Sequence, residues 1–487
     1  MEFRTLVEAA AHWAEHTPDK ACLIDADSGR CLTYLEFWRK ALAFGGFLRE
    51  SGLAGGDRAV VRVTQSIDTV VAAFGVYMAG GIHVPIAKKI GDQRIRELLA
   101  YFEARLYIAE TPVKGGCAYV GIDRALNAPA CEAEPVFPDP GEISDIIFTT
   151  GTTGSPKGVM RSYGSYCASP RHWSGYMGFR SRDVNLTYCS QNAAGGISSL
   201  RRSFLVGSTY VFGNGIVFLR DFFGIVEKYG VTVLCIRPPE LSMLLHDEEG
   251  LKRHCGGIRA ILLNTAAPRA RDTRRIKELL PNARVFSSYG ATEALGIAVY
   301  EVDKREIIPF YAGKPAEGAE IRIADKNGAP MENAGRENPG YIACKTATAM
   351  KGYWKNPALT EKVVRDGWVI LSDIGYIGND GAVYLLGREG DIINTGGYKV
   401  APGEIEELAL ETEGVAECVC FSVPDAILGS IPKLLVVMEK NAEFSAKKIH
   451  DHLALKLEAY KLPRSIESAD ALPKTGDNAK IRKGDLR

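Results

Sequence analysis

The most informative segment of the chain reads Phe148-Thr149-Thr150-Gly151-Thr152-Thr153-Gly154-Ser155-Pro156-Lys157-Gly158-Val159. Backbone N–H groups and hydroxyls in such a glycine- and threonine-rich turn suit phosphate oxygens, and Lys157 adds a positive charge. The P-loop of kinases and ATPases differs, because its lysine follows a glycine and precedes Ser or Thr, whereas Lys157 lies between Pro156 and Gly158. The segment therefore predicts polyphosphate binding, and it favours adenylation over phosphoryl transfer.

Composition limits the partners of the chain. Its 487 residues are too many for one hydrophobic core, so two or more domains are expected. The 59 basic and 59 acidic residues balance, which leaves no overall field to hold nucleic acid or an anionic membrane. The 11 cysteines contain no Cys-x-x-Cys pair, so the sequence predicts neither a disulfide framework nor a zinc site and favours a reducing compartment.

The apolar segments do not have the form of a leader or a membrane span. Residues 1–18 carry Glu8 and Glu15 within their apolar pattern, unlike a signal peptide. The uncharged residues 69–87 are interrupted by Gly80-Gly81 and Pro85, whereas a spanning helix needs about 20 continuous apolar residues. We therefore expect a cytoplasmic protein without a membrane span.

Periodicity divides the chain into regions. Helix and strand patterns alternate over the first part of the chain, which predicts a large N-terminal domain of α/β subdomains. From residue 313 to 386 short strands with glycine turns dominate, and they predict a small β-barrel. The C-terminal part returns to mixed helices and strands and predicts a small α+β domain. We place the division within 387–391, so the predicted domains are 1–389 and 390–487.

Two segments together resemble a known family. The segment 148–159 resembles the phosphate loop of the AMP-forming acid ligases, the superfamily of acyl-CoA synthetases, peptide-synthetase adenylation domains and firefly luciferase. The segment Ser287-Ser288-Tyr289-Gly290-Ala291-Thr292-Glu293 is similar to the Tyr-Gly-x-Thr-Glu motif of that family. The resemblance implies that Tyr289 lies against adenine, that Thr292 contacts the α-phosphate and that Glu293 binds Mg²⁺.

The chemistry explains why such residues are needed. An anionic carboxylate must attack an anionic phosphate while pyrophosphate leaves, so fixed cations and donors must neutralise charge there. The resemblance implies catalytic roles for Lys157, Thr292 and Glu293, and it makes Thr150 a second ligand of Mg²⁺. The residues that it places around ATP or AMP in this part of the chain are Thr149, Thr150, Gly151, Thr152, Thr153, Gly154, Lys157, Ala266, Ala267, Ser288, Tyr289, Gly290, Ala291 and Thr292.

A third similarity spans residues 367–373 and Gly387-Arg388. The resemblance implies that Asp373 binds both ribose hydroxyls with help from Arg388, and a carboxylate suits this because it accepts two hydrogen bonds at once. Leu371-Ser372 precede the aspartate where the family usually has Thr-Gly. Further on, Gly396, Gly397, Tyr398 and Lys399 resemble the loop that lines the tunnel for the thiol.

The resemblance also implies a mobile C-terminal lid. Its pivot falls at Gly390, where the family commonly has Asp or Lys. Its catalytic lysine, which bridges the carboxylate and the α-phosphate, is assigned to Lys480 in the C-terminal segment 472–487. This segment departs from the family in one extra residue and in Ala479, where glycine is usual, so Lys474 stays open as the alternative.

Less regular segments set the choice of acid. Asn192 stands where many acyl-CoA ligases have His and amino-acid-activating domains have Asp, and a neutral amide argues against a free amino acid. Arg237 is a candidate for reading a polar or anionic substituent, although an arginine near a helix start is more often exposed. The predicted acyl-pocket residues are Asn192, Gly196, Arg237, Ala294 and Leu295.

The family resemblance implies an AMP-forming acid–thiol ligase. Such an enzyme uses ATP and Mg²⁺ to convert a small carboxylic acid into an acyl adenylate and then transfers the acyl group to coenzyme A. Two alternatives stay open: an enzyme that loads a carrier protein, and a catalytically silent binding module. The silent module is considered because the lysine loop is expanded and the pivot is Gly390.

Overall fold

The computed structural model describes residues 3–129, 134–150, 156–264, 268–302, 310–396 and 398–473. The chain divides into two compact units. Unit 1 consists of Met1–Arg305, Gly313–Ile321 and Cys344–Val369. Unit 2 consists of Glu306–Ala312, Arg322–Ala343 and Ile370–Arg487.

The helices begin and end as follows: α1 (Leu6–His16), α2 (Tyr34–Glu50), α3 (Ile67–Met78), α4 (Asp92–Tyr101), α5 (Arg124–Asn127), α6 (Tyr163–Met177), α7 (Ala194–Val206), α8 (Leu219–Tyr229), α9 (Pro238–Leu244), α10 (Glu248–His254), α11 (Ala270–Leu279), α12 (Pro357–Val363), α13 (Pro402–Ala409) and α14 (Ala446–Ala454).

The strands are β1 (Ala21–Asp25), β2 (Cys31–Thr33), β3 (Arg58–Arg62), β4 (Ile82–Ile86), β5 (Ala104–Ala109), β6 (Ala118–Gly121), β7 (Ile143–Thr150), β8 (Pro156–Ser162), β9 (Val184–Thr187), β10 (Thr209–Phe212), β11 (Val233–Ile236), β12 (Ala260–Leu263), β13 (Arg284–Tyr289), β14 (Ala298–Glu301), β15 (Tyr311–Pro315), β16 (Ala319–Ala324), β17 (Gly340–Thr346), β18 (Gly352–Tyr353), β19 (Val364–Arg365), β20 (Trp368–Ile377), β21 (Val383–Arg388), β22 (Ile393–Thr395), β23 (Tyr398–Val400), β24 (Val415–Asp425), β25 (Gly429–Met438) and β26 (Ser465–Ser468).

Unit 1 contains two sheets that carry the first two motifs. One has the strand order β18-β8-β7-β4-β3-β5-β6 and is parallel from β7 to β6, whereas β8 runs antiparallel to β7. In the other, β13, β12, β11, β9, β10 and β1 follow one another in parallel, and β14 pairs antiparallel with β13. The predicted α/β alternation is confirmed, because parallel neighbours need helical crossovers.

The helices of unit 1 bury their apolar sides against these sheets. Thr33 begins α2 through a capping box with Glu36, and the aromatic side chains of Phe37 and Phe44 on that helix are fully buried. Phe37 contacts Phe74 of α3 and Phe204 of α7, with ring centres 4.9 Å apart in both pairs. This shared core fixes α7 relative to the strands.

The short strands predicted between residues 313 and 386 are present, but their arrangement differs from a closed barrel. Those that reach into unit 2 follow the order β16-β17-β20-β21-β15, which does not close on itself among the described strands. The sequence pattern of short strands and glycine turns is compatible with both outcomes, because closure depends on which edges pair rather than on any one strand.

The C-terminal part of unit 2 combines helices and strands, as the sequence predicts. β23, β22, β25 and β24 form a sheet in that order, with β26 parallel to β25. Its core includes Ile405 of α13, Ile449 of α14 and Val436 of β25. In the part of the chain that the structure describes, no helix is long and apolar enough to cross a membrane.

Candidate active site

The predicted phosphate loop joins two antiparallel strands. Thr149 at the end of β7 pairs with Lys157 near the start of β8, so the lysine stands across from the end of the apolar strand. Residues 151–155, which include Gly151, Thr152, Thr153 and Gly154, lie outside the described residues, as do the side chains of Thr149 and Thr150.

The glycine after the lysine is required by packing. A Cβ on Gly158 would come within 2.7 Å of Ile146 and 3.0 Å of Phe102. Its carbonyl accepts a hydrogen bond of 2.7 Å from the backbone N–H of Trp354. The backbone beside Lys157 is therefore held against its neighbours, and this fixes where the lysine leaves the strand.

The Tyr-Gly-Ala-Thr-Glu motif forms a tight turn at the end of β13. The backbone of Ala291 and that of Ala294 exchange hydrogen bonds of 2.9 and 3.1 Å, which leaves Thr292 and Glu293 at the tip of the turn. A Cβ on Gly290 would meet the backbone N of Gly296. The residue between Tyr289 and the turn must therefore be glycine for steric reasons.

Three groups hold Glu293. The Tyr353 hydroxyl donates to its carboxylate at Oε1 over 2.7 Å, and the Met350 N–H donates to its carbonyl over 2.8 Å. Arg161 donates from Nη1 to the carbonyls of Thr292 and Glu293, each at 3.4 Å. Burial, and then the nearby Glu293 carboxylate, raise the pKa of Tyr353 well above its ordinary value, so its hydroxyl stays a donor.

A buried ionic network lies beneath the phosphate-loop strand. Asp145 on β7 accepts hydrogen bonds of 2.6 Å from Arg201, 2.9 Å from Tyr77 and 2.9 Å from the Nδ1 of His83. Burial disfavours the charge on Asp145, but Arg201 and His83 outweigh it and hold the pKa of that carboxyl below its usual range. The Arg201 guanidinium also lies over the ring of Tyr166, 3.2 Å from its centre. The network joins β7 to α7.

The structure brings together two of the three predicted acyl segments of unit 1. Leu295 packs in one buried cluster with Ile147, Tyr166 and Ile197, and Ala194 lies against it. Ile197 follows Gly196, so both segments border the same apolar region. A Cβ on Gly196 would meet the Ser190 carbonyl, which shows how tightly the start of α7 folds back.

The remaining acyl candidates make local contacts. Asn192 accepts a hydrogen bond from the Ser190 hydroxyl. Arg237 caps α9, where its Nε donates to Glu240 over 3.0 Å. Ala294 is fully buried beside Leu295.

Sequence reasoning missed Gln65, which fastens the segment before Asn192. Its amide oxygen accepts from the Gln191 N–H over 2.9 Å, and its amide nitrogen donates to the Cys189 carbonyl over 3.1 Å. Its φ of 54° is in the left-handed region, where non-glycine residues are uncommon. No local sequence pattern predicts a glutamine that contacts residues more than a hundred positions away. Arg161 and Tyr353 also contact residues far away along the chain, and no local pattern predicts them either.

Unit 2 holds the predicted ribose-binding pair. Asp373 on β20 and Arg388 on β21 are cross-strand partners, and the Arg388 Nε lies 3.7 Å from the Asp373 carboxylate. An aspartate in this position retains oxygen lone pairs for two hydroxyl groups.

The predicted pivot and tunnel residues also lie in unit 2. Gly390 follows β21, and a Cβ there would meet nothing within 4 Å. Gly396 has a φ of 56°, and Tyr398 stacks on Tyr460 with ring centres 4.5 Å apart. Gly397, the side chain of Lys399, Ala266, Ala267, Lys474 and Lys480 lie outside the described residues.

The chemistry of the Glu293 site fits Mg²⁺. Within the described residues no group of three or more His, Cys, Asp or Glu side chains could hold a metal by itself. Mg²⁺ commonly binds one or two carboxylates together with water and substrate phosphates, rather than an all-protein cage. A single carboxylate with one oxygen fixed by Tyr353 meets that requirement.

Comparison with known proteins identifies the family. The profile of the AMP-binding enzymes matches residues 10–354, and that of the AMP-binding enzyme C-terminal domain matches residues 404–478. A 2-succinylbenzoate–CoA ligase of Bacillus licheniformis is 29% identical over 484 residues, with 96% of this chain and 97% of that protein covered.

Two solved structures share the fold. O-succinylbenzoate coenzyme A synthetase of Bacillus subtilis, in complex with ATP and a magnesium ion, has a TM-score of 0.86 at 24% identity, with 98% of each chain covered. ATP-bound MatB of Rhodopseudomonas palustris has a TM-score of 0.88 at 24% identity and covers 99% of this chain and 98% of its own. The profile matches extend over most of this chain, which therefore belongs to the family of AMP-binding enzymes.

Proposed function

We propose that the chain is an ATP-dependent acid–thiol ligase. It activates a carboxylic acid as an acyl adenylate with release of pyrophosphate, and then transfers the acyl group to coenzyme A with release of AMP. The observation that carries the proposal is the paired geometry of unit 1, where Lys157 stands across from Thr149 and the Thr292–Glu293 turn is held at both its carbonyls and its carboxylate. The CoA ligase activity named for the relative supports it.

Four residues of unit 1 have roles in the first step. Lys157 binds the phosphates as a fixed positive charge, and Thr292 donates its hydroxyl to the α-phosphate. Glu293 and Thr150 would hold Mg²⁺. When bound, this ion neutralises charge on the phosphates and on the departing pyrophosphate. Protein groups that are already fixed by hydrogen bonds need little rearrangement during the reaction, and this lowers its barrier.

Unit 2 supplies the remaining functions in this proposal. Asp373 and Arg388 bind the ribose, and Lys480 contacts the reacting carboxylate. We place the division between an N-terminal domain and a mobile C-terminal lid at 389/390, with Gly390 as the pivot and the loop Gly396–Lys399 as the lining of the thiol tunnel. The open space around Gly390 supports a pivot there.

The acid is expected to carry an apolar body. The cluster of Ile147, Tyr166, Ile197 and Leu295 borders the proposed acyl site and offers mainly hydrocarbon and aromatic surface. A phosphopantetheinylated carrier protein stays an alternative acceptor, because its thiol reacts in the same way. A cytoplasmic location is supported by the free cysteines, ten of them in the part of the chain that the structure describes.

Magnesium-dependent pyrophosphate release tests this function. The purified protein would be assayed with fatty, aromatic and amino acids, with coenzyme A or a carrier protein added and thioesters identified by mass spectrometry. We expect a coenzyme A thioester from at least one apolar acid. Adenylate that accumulates until the carrier is added would favour carrier loading, and silence with every acid would favour a binding module.

Substitution of the two charged residues provides the first specific prediction. Glu293→Ala and Lys157→Ala should each lower pyrophosphate exchange by about a hundredfold to a thousandfold, since each removes a preorganised charge from the transition state. Glu15→Ala is the control, because that side chain is 80% exposed on α1. A near wild-type rate in Glu293→Ala would remove this residue from the site.

A further inference from the structure

We propose that Tyr353 is a positioning residue that fixes the Glu293 carboxylate for nucleotide binding and adenylation. The inference rests on the proposed function, because it gives Glu293 the role of a Mg²⁺ ligand. Tyr353 belongs to none of the motifs from which the site was predicted, and it lies 60 residues beyond Glu293 in the sequence. The evidence for it is geometric.

Tyr353 is built into the sheet that carries the phosphate-loop lysine. It lies on β18, whose residues pair antiparallel with β8: Tyr353 with Val159, and Gly352 with Met160. The neighbouring Lys351 N–H donates to the Met160 carbonyl over 2.9 Å. Because Lys157 lies on the same strand β8, the backbone of Tyr353 has a fixed relation to the backbone of the lysine.

The segment 348–353 also forms hydrogen bonds to the Thr292–Glu293 turn and to Leu295. The Met350 N–H donates to the Glu293 carbonyl over 2.8 Å, and the Thr348 hydroxyl donates to the Leu295 carbonyl over 2.8 Å. Residues 348–353 therefore connect the Thr292–Glu293 turn to β8 through several hydrogen bonds. These contacts do not involve the Tyr353 hydroxyl, so they persist when that hydroxyl alone is removed.

The hydroxyl acts on the carboxylate itself. Tyr353 is buried and donates a hydrogen bond of 2.7 Å to the Oε1 of Glu293. A glutamate side chain has three rotatable bonds, and a charge-assisted hydrogen bond to one oxygen restricts them. The other oxygen is then presented in a defined direction, as a cation with strict coordination geometry requires.

Removal of this one oxygen atom tests the inference. Tyr353→Phe should weaken binding of ATP in the presence of Mg²⁺ by about tenfold to a hundredfold, the loss expected for one hydrogen bond to a charged group. Binding of ATP in EDTA should stay unchanged. Both constants would be measured by isothermal titration calorimetry, together with the midpoint of thermal unfolding.

A matched control separates positioning from general damage. Tyr210→Phe removes the hydroxyl of another buried tyrosine of unit 1, one that has no hydrogen-bond partner among the described residues. It should bind ATP as the wild type does with and without Mg²⁺. An equal loss of ATP binding in EDTA and in Mg²⁺ for Tyr353→Phe would overturn the proposal, because it would show a structural effect.

A double-mutant cycle gives a second decision. In a Glu293→Ala background, Tyr353→Phe should produce no further loss of ATP binding in Mg²⁺, since its hydroxyl acts only through that carboxylate. Additive losses would show that Tyr353 acts elsewhere. An inactive wild type in the acid panel would overturn the proposed ligase function. The role of Tyr353 could still be decided in that case, because calorimetry measures ATP binding without turnover.

Discussion

At the residue scale, two glycines allow the close backbone packing that positions the charged residues of the site. Gly158 lets β8 lie against Ile146 and Phe102, and Gly290 lets the Thr-Glu turn close on itself. Each glycine lies close in sequence to the charged residue of its motif, Lys157 in the first and Glu293 in the second. Gly158 and Gly290 are therefore steric requirements of the site rather than flexible spacers.

Gly290→Ala should disable the turn. Its Cβ would meet the N of Gly296 and lie 2.9 Å from the Ala294 carbonyl, and backbone atoms cannot move aside as a flexible side chain can. We expect a loss of about 1–3 kcal/mol in the free energy of unfolding, together with a fall in pyrophosphate exchange of about a hundredfold or more. Chemical denaturation and the exchange assay measure the two effects.

Gly224→Ala is the control for this substitution. Gly224 lies inside α8, and a Cβ there would meet nothing within 4 Å. Alanine is the better helix former, so this variant should be unchanged or more stable by up to about 1 kcal/mol. Unimpaired exchange in Gly290→Ala would mean that the turn tolerates a Cβ and that its glycine has another purpose.

The sequence motifs nominate candidate site residues, but they do not nominate the residues that hold those candidates in place. Lys157 and Glu293 stand in runs whose order is specific. Tyr353, Arg161 and Gln65 act on residues far away along the chain, through pairings that exist only after folding. A single tyrosine or arginine in a strand is usually a packing residue, so nothing local distinguishes these.

At the scale of elements, β7 and α7 are joined by a buried charge pair. Asp145→Asn would leave Arg201 buried without its carboxylate, and loss of one partner of a buried pair costs about 3–5 kcal/mol. We expect the free energy of unfolding to fall by that amount in urea. Asp221→Asn, whose side chain is 58% exposed, should change it by less than about 0.5 kcal/mol.

The pH dependence gives this prediction a sign. The pKa of Asp145 is depressed in the folded protein, so its contribution is fully present above the ordinary aspartate pKa near 4. The difference in stability between wild type and Asp145→Asn should therefore stay constant from about pH 8 to pH 5 and shrink only below the latter value. A difference that shrinks between pH 8 and 6 would contradict an ionised Asp145.

The pivot element gives a prediction about conformation. The backbone of Gly390 is outside the left-handed region and its Cβ position is open, so this conformation does not need glycine. We therefore expect the glycine to serve a second conformation with left-handed φ. Gly390→Ala should keep adenylation and stability but slow thioester formation about tenfold, since that region costs a Cβ-bearing residue about 1–2 kcal/mol.

Assay of the two half-reactions in Gly390→Ala checks this prediction. Acyl adenylate would be supplied directly to measure thioester formation, and pyrophosphate exchange would measure adenylation. Equal rates in wild type and variant for both steps would show that this position does not need the freedom of glycine in either conformation.

At the scale of the whole molecule, periodicity predicted the α/β character of the N-terminal part and the α+β character of the C-terminal part. It worked there because each buried strand or helix face carries its own pattern, as in the wholly buried β4. Periodicity did not predict the open strand order β16-β17-β20-β21-β15. The sequence of a single strand does not determine which distant strand pairs with its edge.

The final prediction is that adenylation requires Lys480 and that thioester formation does not. Lys480→Ala should abolish most acyl adenylate formation yet spare thioester formation from supplied adenylate. A charge on a mobile domain counts only while it lies within about 1 Å of its working position, so it can serve one step and be remote from the next.

Lys474→Ala is the matched substitution, because it removes the same charge six residues earlier on the same C-terminal segment. It should affect neither step, as measured by pyrophosphate exchange and by mass spectrometry of the thioester. The reverse pattern, with Lys474 essential for adenylation and Lys480 dispensable, would show that the extra residue between them shifts the catalytic register toward the start of the segment. The catalytic lysine would then be the one in Pro473-Lys474-Thr475 rather than the one in Ala479-Lys480-Ile481.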